Sequence, residues 1–276
     1  MIAAPPPVPA ADGLVRVYPA AEPTGAGLVW MHGGGFAHGD LDMPEADDVA
    51  RGLAARGTTV VSVDYRLAGV GRSDNRYPAA SDDVLGAWRW TRENADRWGI
   101  ARLAIGGASA GANLAAGATL RLIAAGDPLP ELVVLAYPTL LAVQPAPGPG
   151  LRAALDAHPE HDRFGTDIVR TMYENYLGTS VIGAPIAAVP GLASAAELAR
   201  FPAVLMINSE IDELSVSGEV FAATLRTAGR PVELVVEPGT DHGHLNRPEL
   251  PGADASIGRI ADRLAALASS TSPTAS

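Results

Sequence analysis

The stretch from Leu103 to Leu114 limits the fold more tightly than any other. A short apolar run, Leu103-Ala104-Ile105, passes through Gly106-Gly107-Ala108-Ser109-Ala110-Gly111 into an Ala/Leu-rich segment. A strand that becomes a helix within so few residues leaves no room for bulky side chains at the bend. Gly107 and Gly111 flank a serine that such a G-x-S-x-G turn presents above a sheet, in a strained backbone conformation. The same pattern also arises as an ordinary strand–helix turn in a chain with 30 glycines. Ser109 as a nucleophile therefore requires a base, an acid to orient it and oxyanion donors elsewhere in the chain.

The rest of the chain repeats the strand-then-helix rhythm. Leu14–Tyr18 alternates apolar and polar residues and predicts an edge strand, and Leu28–Met31 and Thr58–Asp64 predict further strands. Helical spacing covers Pro44–Arg56, with acidic residues in its first turn where they suit the helix dipole. It returns over Ala79–Trp98, Ser215–Ala228 and Ile257–Leu267. Strands are expected at Leu132–Tyr137, Val204–Asn208 and Val232–Val236. Such alternation implies a mostly parallel sheet with helices on both faces and reactive groups at the carboxyl ends of its strands.

Leu140–Arg200 breaks the rhythm. It has no convincing strand pair, reads as loop over Gln144–Gly150 and as helix over Asp167–Leu177. An insertion of this length in a regular sheet reads as a cap or lid on a single α/β domain spanning 1–276. The small, polar stretch Ser269–Ser276 is expected to be a frayed tail.

Composition removes several function classes. All 20 basic residues are arginine, so neither a Schiff-base lysine nor a phosphate-loop lysine is available. The absence of cysteine rules out thiolate catalysis and cysteine metal ligands, and the net charge of −11 argues against a nucleic-acid surface. Met1–Asp12 lacks the basic and apolar regions of a signal peptide, and no apolar run approaches the ~20 residues of a membrane span. The expectation is a cytoplasmic protein, compatible with a homodimer.

Of the six histidines, His242 follows the last expected strand on a glycine-bounded loop, Pro238-Gly239-Thr240-Asp241-His242-Gly243-His244. That is the end of the sheet where Ser109 would emerge, which makes His242 the candidate base. His244 is its close competitor. The pair could also ligate a metal, but no third carboxylate or histidine cluster with ligand spacing accompanies it, so no metal is expected there. His38, His158 and His161 read as loop residues, and His32 as a residue that bonds the backbone of its own loop.

Asp212 follows the penultimate strand and is the candidate orienting acid, with Glu210, Glu213 and Asp241 as rivals; an Asp in this place could instead cap the next helix. His32-Gly33-Gly34-Gly35 follows another strand and can aim backbone N–H groups at an acyl oxygen. The N–H of Ala110, just after the serine and at a helix N-terminus, would add a further donor. Among the larger side chains, Trp30, Phe36, Met172, Tyr173 and Tyr176 are candidates for the substrate pocket, Phe36, Tyr173 and Tyr176 foremost, with ordinary packing as the alternative for each.

Five separated segments together resemble the hormone-sensitive-lipase-like esterases of the α/β-hydrolase superfamily. His32-Gly33-Gly34-Gly35-Phe36 with Gly39 resembles that family's HGGGF…G loop. Val63–Ala68, then Tyr77-Pro78-Ala79-Ala80 and Asp83, resembles DYRLAPE…FPAA…D. Gly107–Leu114 resembles GDSAGGNLA, Asp212-Glu213-Leu214 resembles D-P-L, and His242-Gly243 resembles HGF. The resemblance implies Ser109 as nucleophile, Asp212 as acid, His242 as base, and Gly34, Gly35 and Ala110 as oxyanion donors, with no cofactor or metal and a small-molecule ester as substrate, for which short acyl chains are expected. Amide, formamide or lactone hydrolysis on the same groups, and a non-catalytic ligand-binding protein of this fold, are the alternatives.

The departures are specific. Ala108 stands where the family has an aspartate, Ala112 replaces a glycine, Ser215 follows Leu214 in place of an arginine, and Ala68–Arg76 lacks the P-E pair. Loss of the acid at 108 together with the linker glutamate implies that one polar contact is missing as a unit, so the turn should be supported differently. The early start of the glycine loop implies a reduced cap and a more open acyl pocket.

Overall fold

The computed structural model describes residues 5–69 and 75–269. Eight strands form one sheet: β1 (Val8–Ala10), β2 (Val15–Tyr18), β3 (Ala26–Met31), β4 (Thr59–Val63), β5 (Arg102–Ala108), β6 (Leu132–Ala136), β7 (Ala203–Ile211) and β8 (Val232–Asp241). Their spatial order is β1-β2-β4-β3-β5-β6-β7-β8, antiparallel at β1–β2 and β2–β4 and parallel from β4 onward.

The central strands are apolar along their whole length because both faces of the sheet are covered. Side chains alternate between two cores. Val29, Met31 and Ile105 point to the side packed by α2 (Ala79–Glu93), α3 (Ala110–Ala125) and α6 (Ser215–Thr227). Leu28, Trp30, Ala104 and Ala108 point to the side packed by α1 (Pro44–Ala54) and α7 (Pro251–Ser269). No helix among the described residues is long and apolar enough to cross a membrane.

Several expected boundaries move. The expected edge strand at Leu14–Tyr18 forms as β2, Val15–Tyr18, but it is not the edge, because β1, built from the Pro-rich start of the chain, pairs outside it. Pro9, opposite Arg16, is tolerated there because an edge strand does not need its missing N–H. The loop expected over Gln144–Gly150 ends early, since Pro149 opens helix α4 (Pro149–Ala157) at a position where proline's fixed φ suits a helix start. β8 runs on past Val236 to Asp241, which brings the candidate base directly to the end of a strand.

Between β6 and β7 the described chain contains no strand. It holds α4, a 3₁₀ turn at Pro159–His161 and α5 (Thr166–Leu177). Ser269 closes α7, and 270–276 of the expected tail lie outside the described residues, as do 70–74 of the divergent linker.

Candidate active site

The serine turn is compressed as its sequence predicts. Ser109 sits between β5 and α3 with φ +53° and ψ −116°, a left-handed conformation that a non-glycine residue adopts only when its surroundings hold it. Its N–H donates to Ala136 O on the neighbouring strand at 2.9 Å. A Cβ at Gly107 would lie 2.5 Å from the Gly111 carbonyl and 2.7 Å from Met31 O, and one at Gly111 would collide with the carbonyls of Met31 and His32. Only glycine lets the β3, β5 and α3 backbones approach this closely.

The sheet register brings the acid and base together. Ile211, the last residue of β7, pairs with Asp241, the last of β8, so the residues that follow them leave the sheet side by side. Asp212 Oδ2 lies 2.7 Å from His242 Nδ1, and His242 Nε2 lies 2.9 Å from Ser109 Oγ. The other oxygen of Asp212 accepts the Leu214 N–H at 2.9 Å, and its side chain is fully buried. A buried carboxylate on Nδ1 fixes the tautomer that leaves Nε2 facing the serine.

Each rival group is engaged elsewhere. Glu210 accepts the Gly239 N–H at 2.7 Å and Glu213 accepts the Phe164 N–H at 2.6 Å. Burial raises the Glu213 carboxyl above its ordinary value. Asp241 faces His161, at 2.8 Å, and the guanidinium groups of Arg163 and Arg247. His244 is held between Ser209 Oγ at 3.0 Å and Ser256 Oγ at 2.8 Å, and burial lowers its pKa to about 4, which keeps it neutral. The two loop histidines therefore face different partners and do not converge on a shared ligand.

The glycine loop after β3 lies against the serine turn. Gly34 and Gly35 have φ of +101° and +60°, and a Cβ at Gly34 would strike the His38 carbonyl. Among the described residues neither N–H meets a protein acceptor, and Ala110 opens α3, where an N–H has no intrahelical carbonyl to meet. His32 is buried with its ring stacked on Tyr65 at 4.5 Å, and Tyr65 Oη donates to His32 O at 2.9 Å. Burial lowers the His32 pKa, so it serves the loop as a neutral ring.

Glu45 is the group that the sequence reading passed over. Placed in the first turn of α1, it looks like a dipole-complementing surface acid, yet it is 1% exposed. Its Oε1 accepts the Gly33 N–H at 2.6 Å, and its Oε2 accepts the Tyr137 hydroxyl at 2.6 Å. Burial first, and then the Glu45 charge, push the Tyr137 hydroxyl well above its usual pKa, so it stays a donor. A side chain at Gly33 would meet Glu45 Oε1 at 2.6 Å, Ser109 Cβ at 3.0 Å and Ala108 O at 3.3 Å. The carboxylate thus sits beside the serine turn where Ala108 brings none, and it engages Gly33 N–H while leaving those of Gly34 and Gly35 free.

An open cavity of about 570 Å³ lies over Ser109 and His242. Gly34 and Gly35 form part of its wall, and Met43, Phe164 and Met172 supply its apolar surface. Phe164 presents its ring to the edge of His242 at 4.5 Å. The expected pocket residues Phe36, Tyr173 and Tyr176 are instead fully buried behind this wall. Phe36 stacks on Tyr176 at 4.0 Å, and Tyr173 Oη accepts from Asn113 and donates to Thr139 O at 2.9 Å. These rings are core because α5 turns its buried stripe of Val169, Tyr173 and Tyr176 inward and leaves Met172 toward the cavity. Trp30 is likewise core, its Nε1 donating to Glu45 O at 2.8 Å. His38, read as an ordinary loop residue, does line the cavity, as do Arg163 and Arg247.

A serine bonded to a carboxylate-oriented imidazole, under free N–H groups at a glycine loop and a helix N-terminus, can support acyl transfer. The comparisons agree with that chemistry. A family profile described as alpha/beta hydrolase fold, Abhydrolase_3, matches residues 28–246. Carboxylesterase NlhH of Mycobacterium tuberculosis is 36% identical over 245 residues, covering 85% of this chain and 73% of that protein. Ethyl acetate hydrolase of Pseudomonas putida is 34% identical over 242 residues, covering 83% of this chain and 70% of its own. The solved esterase of Pyrobaculum calidifontis superposes with a TM-score of 0.78 at 30% identity, over 95% of this chain and 82% of that one. With its fold, its glycine loop and serine turn, and relatives of this kind, the chain belongs to the hormone-sensitive-lipase-like family of α/β-hydrolases and is a carboxylic ester hydrolase.

Proposed function

We propose that Ser109, His242 and Asp212 are the catalytic residues, that Gly34, Gly35 and Ala110 bind the oxyanion, and that the substrates are small esters with short acyl chains. The observation that carries this reading is the unbroken relay from Asp212 Oδ2 to His242 Nδ1, at 2.7 Å, and from His242 Nε2 to Ser109 Oγ, at 2.9 Å.

In this reading Ser109 Oγ attacks the ester carbonyl carbon while His242 Nε2 takes the hydroxyl proton. The carbonyl π electrons move to oxygen, and the resulting anion is met by the free N–H groups, each such donor contributing roughly 3 kcal/mol to the transition state. Collapse of the tetrahedral species breaks the bond to the alkoxy oxygen, which leaves as the alcohol with the proton from His242. Water then repeats the sequence against the acyl-serine and releases the carboxylic acid. The Asp212 carboxylate stabilises the imidazolium formed in each half.

Two features support short acyl chains. The buried rings of Phe36, Tyr173 and Tyr176 fill the space behind Gly35 and Met172 into which a longer tunnel would run. The Pseudomonas putida relative bears the name of an ethyl acetate hydrolase. Segment 140–200 is proposed as a small cap, because it sends Arg163, Phe164 and Met172 to the cavity. Hydrolysis of p-nitrophenyl acetate through hexanoate by the wild-type protein and a Ser109→Ala variant tests both parts. The expected result is activity that falls with chain length and disappears in the variant. Wild-type rates in Ser109→Ala would overturn the site assignment, and a preference for the longest ester would overturn the acyl assignment.

A further inference from the structure

The turn between α4 and α5 carries His158-Pro159-Glu160-His161. In a 3₁₀ turn, residues three apart eclipse one another. The rings of His158 and His161 are accordingly 5.9 Å apart on one side, with the Glu160 carboxylate between them. Glu160 Oε1 lies 3.4 Å from His158 Nδ1 and 3.6 Å from His161 Nε2. Both separations are longer than the roughly 2.7–3.2 Å of good N–H···O hydrogen bonds. They are close to the ligand–ligand edge of about 3.3–3.5 Å that a tetrahedral zinc site has when its Zn–N and Zn–O bonds are about 2.0–2.2 Å.

We propose that His158, Glu160 and His161 form a binding site for a borderline divalent transition metal, Zn²⁺ in the first instance, separate from the serine relay. One donor atom from each residue lies within 4.8 Å of the other two. The side chains of His158 and Glu160 are 50% and 61% exposed, so they can rotate to close the remaining separation and leave the fourth position to water.

A second, independent feature is the group behind His161. Its Nδ1 lies 2.8 Å from Asp241 Oδ2, and that carboxylate is nearly buried. Metal-bound histidines characteristically donate their other ring N–H to a carboxylate, which fixes the tautomer and aims the lone pair. Here the arrangement leaves Nε2, the nitrogen facing Glu160, as the free donor atom. The nearby cation Arg152 is taken up by Asp156 at 2.8 Å and by Asp162, so Glu160 remains the carboxylate facing the two imidazoles. Two neutral imidazoles and one carboxylate, with Asp241 behind them, suit a dication of intermediate softness better than Mg²⁺ or Ca²⁺, which prefer all-oxygen shells. The turn continues into Arg163, which donates to His242 O at 3.2 Å, and into Phe164 against the His242 ring, so a bound ion would tie down the segment that borders the base.

The test is titration of the full, tag-free chain with ZnCl₂ at neutral pH, followed by calorimetry or by competition with a chromogenic chelator. The expected result is one ion per chain, with affinity reduced at least tenfold in His158→Ala and in Glu160→Gln. The His158→Ala protein should keep the wild-type esterase rate in metal-free buffer, which shows that the loss is not unfolding. Absence of stoichiometric Zn²⁺ binding, or binding that survives in a His158→Ala/His161→Ala double variant, would overturn the site.

Discussion

Glu45 Oε1 accepts the Gly33 N–H at 2.6 Å, joining the first turn of α1 to the glycine loop beside the serine. The same carboxylate receives the Tyr137 hydroxyl at 2.6 Å, and Tyr137 in turn packs edge-on against His242 at 5.1 Å. One buried acid therefore braces both the loop that carries Gly34 and Gly35 and the residue that packs on His242. Glu45→Ala leaves two buried donors unpaired, each at a cost of about 1–3 kcal/mol, so a stability loss of about 2–6 kcal/mol is expected in urea unfolding. In the proposed mechanism the loop's donors act in the transition state, so kcat should fall about 10- to 100-fold with KM little changed. Glu45→Gln, which keeps one acceptor in place, should recover part of both losses. A Glu45→Ala enzyme with wild-type kcat would show that the brace is structural only.

His244 sets a pH dependence of stability. Its pKa falls from the model-compound value of 6.5 to about 4 because burial disfavours the charged ring. The unfolded chain therefore binds more protons than the folded one in this range, and stability is complete above about pH 6.5 and lost as pH falls toward about 4. A shift of this size corresponds to about 3 kcal/mol in total, about 2 kcal/mol of it between pH 7 and pH 5. His32, also lowered by burial, acts in the same direction. Unfolding midpoints measured at pH 7 and pH 5 should separate widely for the wild type and less for His244→Gln. That variant should start about 1 kcal/mol less stable at pH 7 through its lost serine contact. Equal pH dependence in the two proteins would contradict the assignment.

Acyl selectivity and core stability should separate along α5. Met172→Ala removes side-chain bulk from the cavity wall beside Gly35, where a Cβ on Gly35 would lie 3.2 Å from the Met172 sulfur, so the preferred p-nitrophenyl ester should become longer. Tyr173→Ala, one residue on, empties a fully buried site and should cost about 3–5 kcal/mol of stability. Acyl-chain profiles of the two variants, measured with their unfolding curves, check the division. A longer-chain preference confined to Tyr173→Ala would reverse it.

What could be read from the sequence follows from how local each signal is. Gly107, Ser109 and Gly111 announce the turn because close backbone approach admits only small residues, whereas the pairing of Ile211 with Asp241 depends on a break in the β7–β8 register after Ser209 that no local pattern marks. The sequence places Asp212 and His242 a few residues past strands expected to end at Asn208 and Val236, whereas β7 and β8 run on to Ile211 and Asp241 directly before them. Glu45 was not legible, because an acid in a helix's first turn has the same sequence signature whether it faces water or a loop folded back from the preceding strand. Phe36, Tyr173 and Tyr176 misled for a related reason: helical spacing shows which residues of α5 share a face, but not that this face meets the core while Met172 meets the cavity. The proline in β1 concealed a strand whose existence depends on pairing with β2 rather than on its own propensity.

The most direct test of the proposed relay is covalent trapping at Ser109 by an organophosphate ester such as diethyl p-nitrophenyl phosphate, read by peptide mass spectrometry. The account predicts one phosphoryl adduct per chain, located on the peptide that contains Ser109, formed at a rate that falls sharply in His242→Ala and abolished in Ser109→Ala. An adduct on another residue, or stoichiometric labelling of the Ser109→Ala protein, would contradict it.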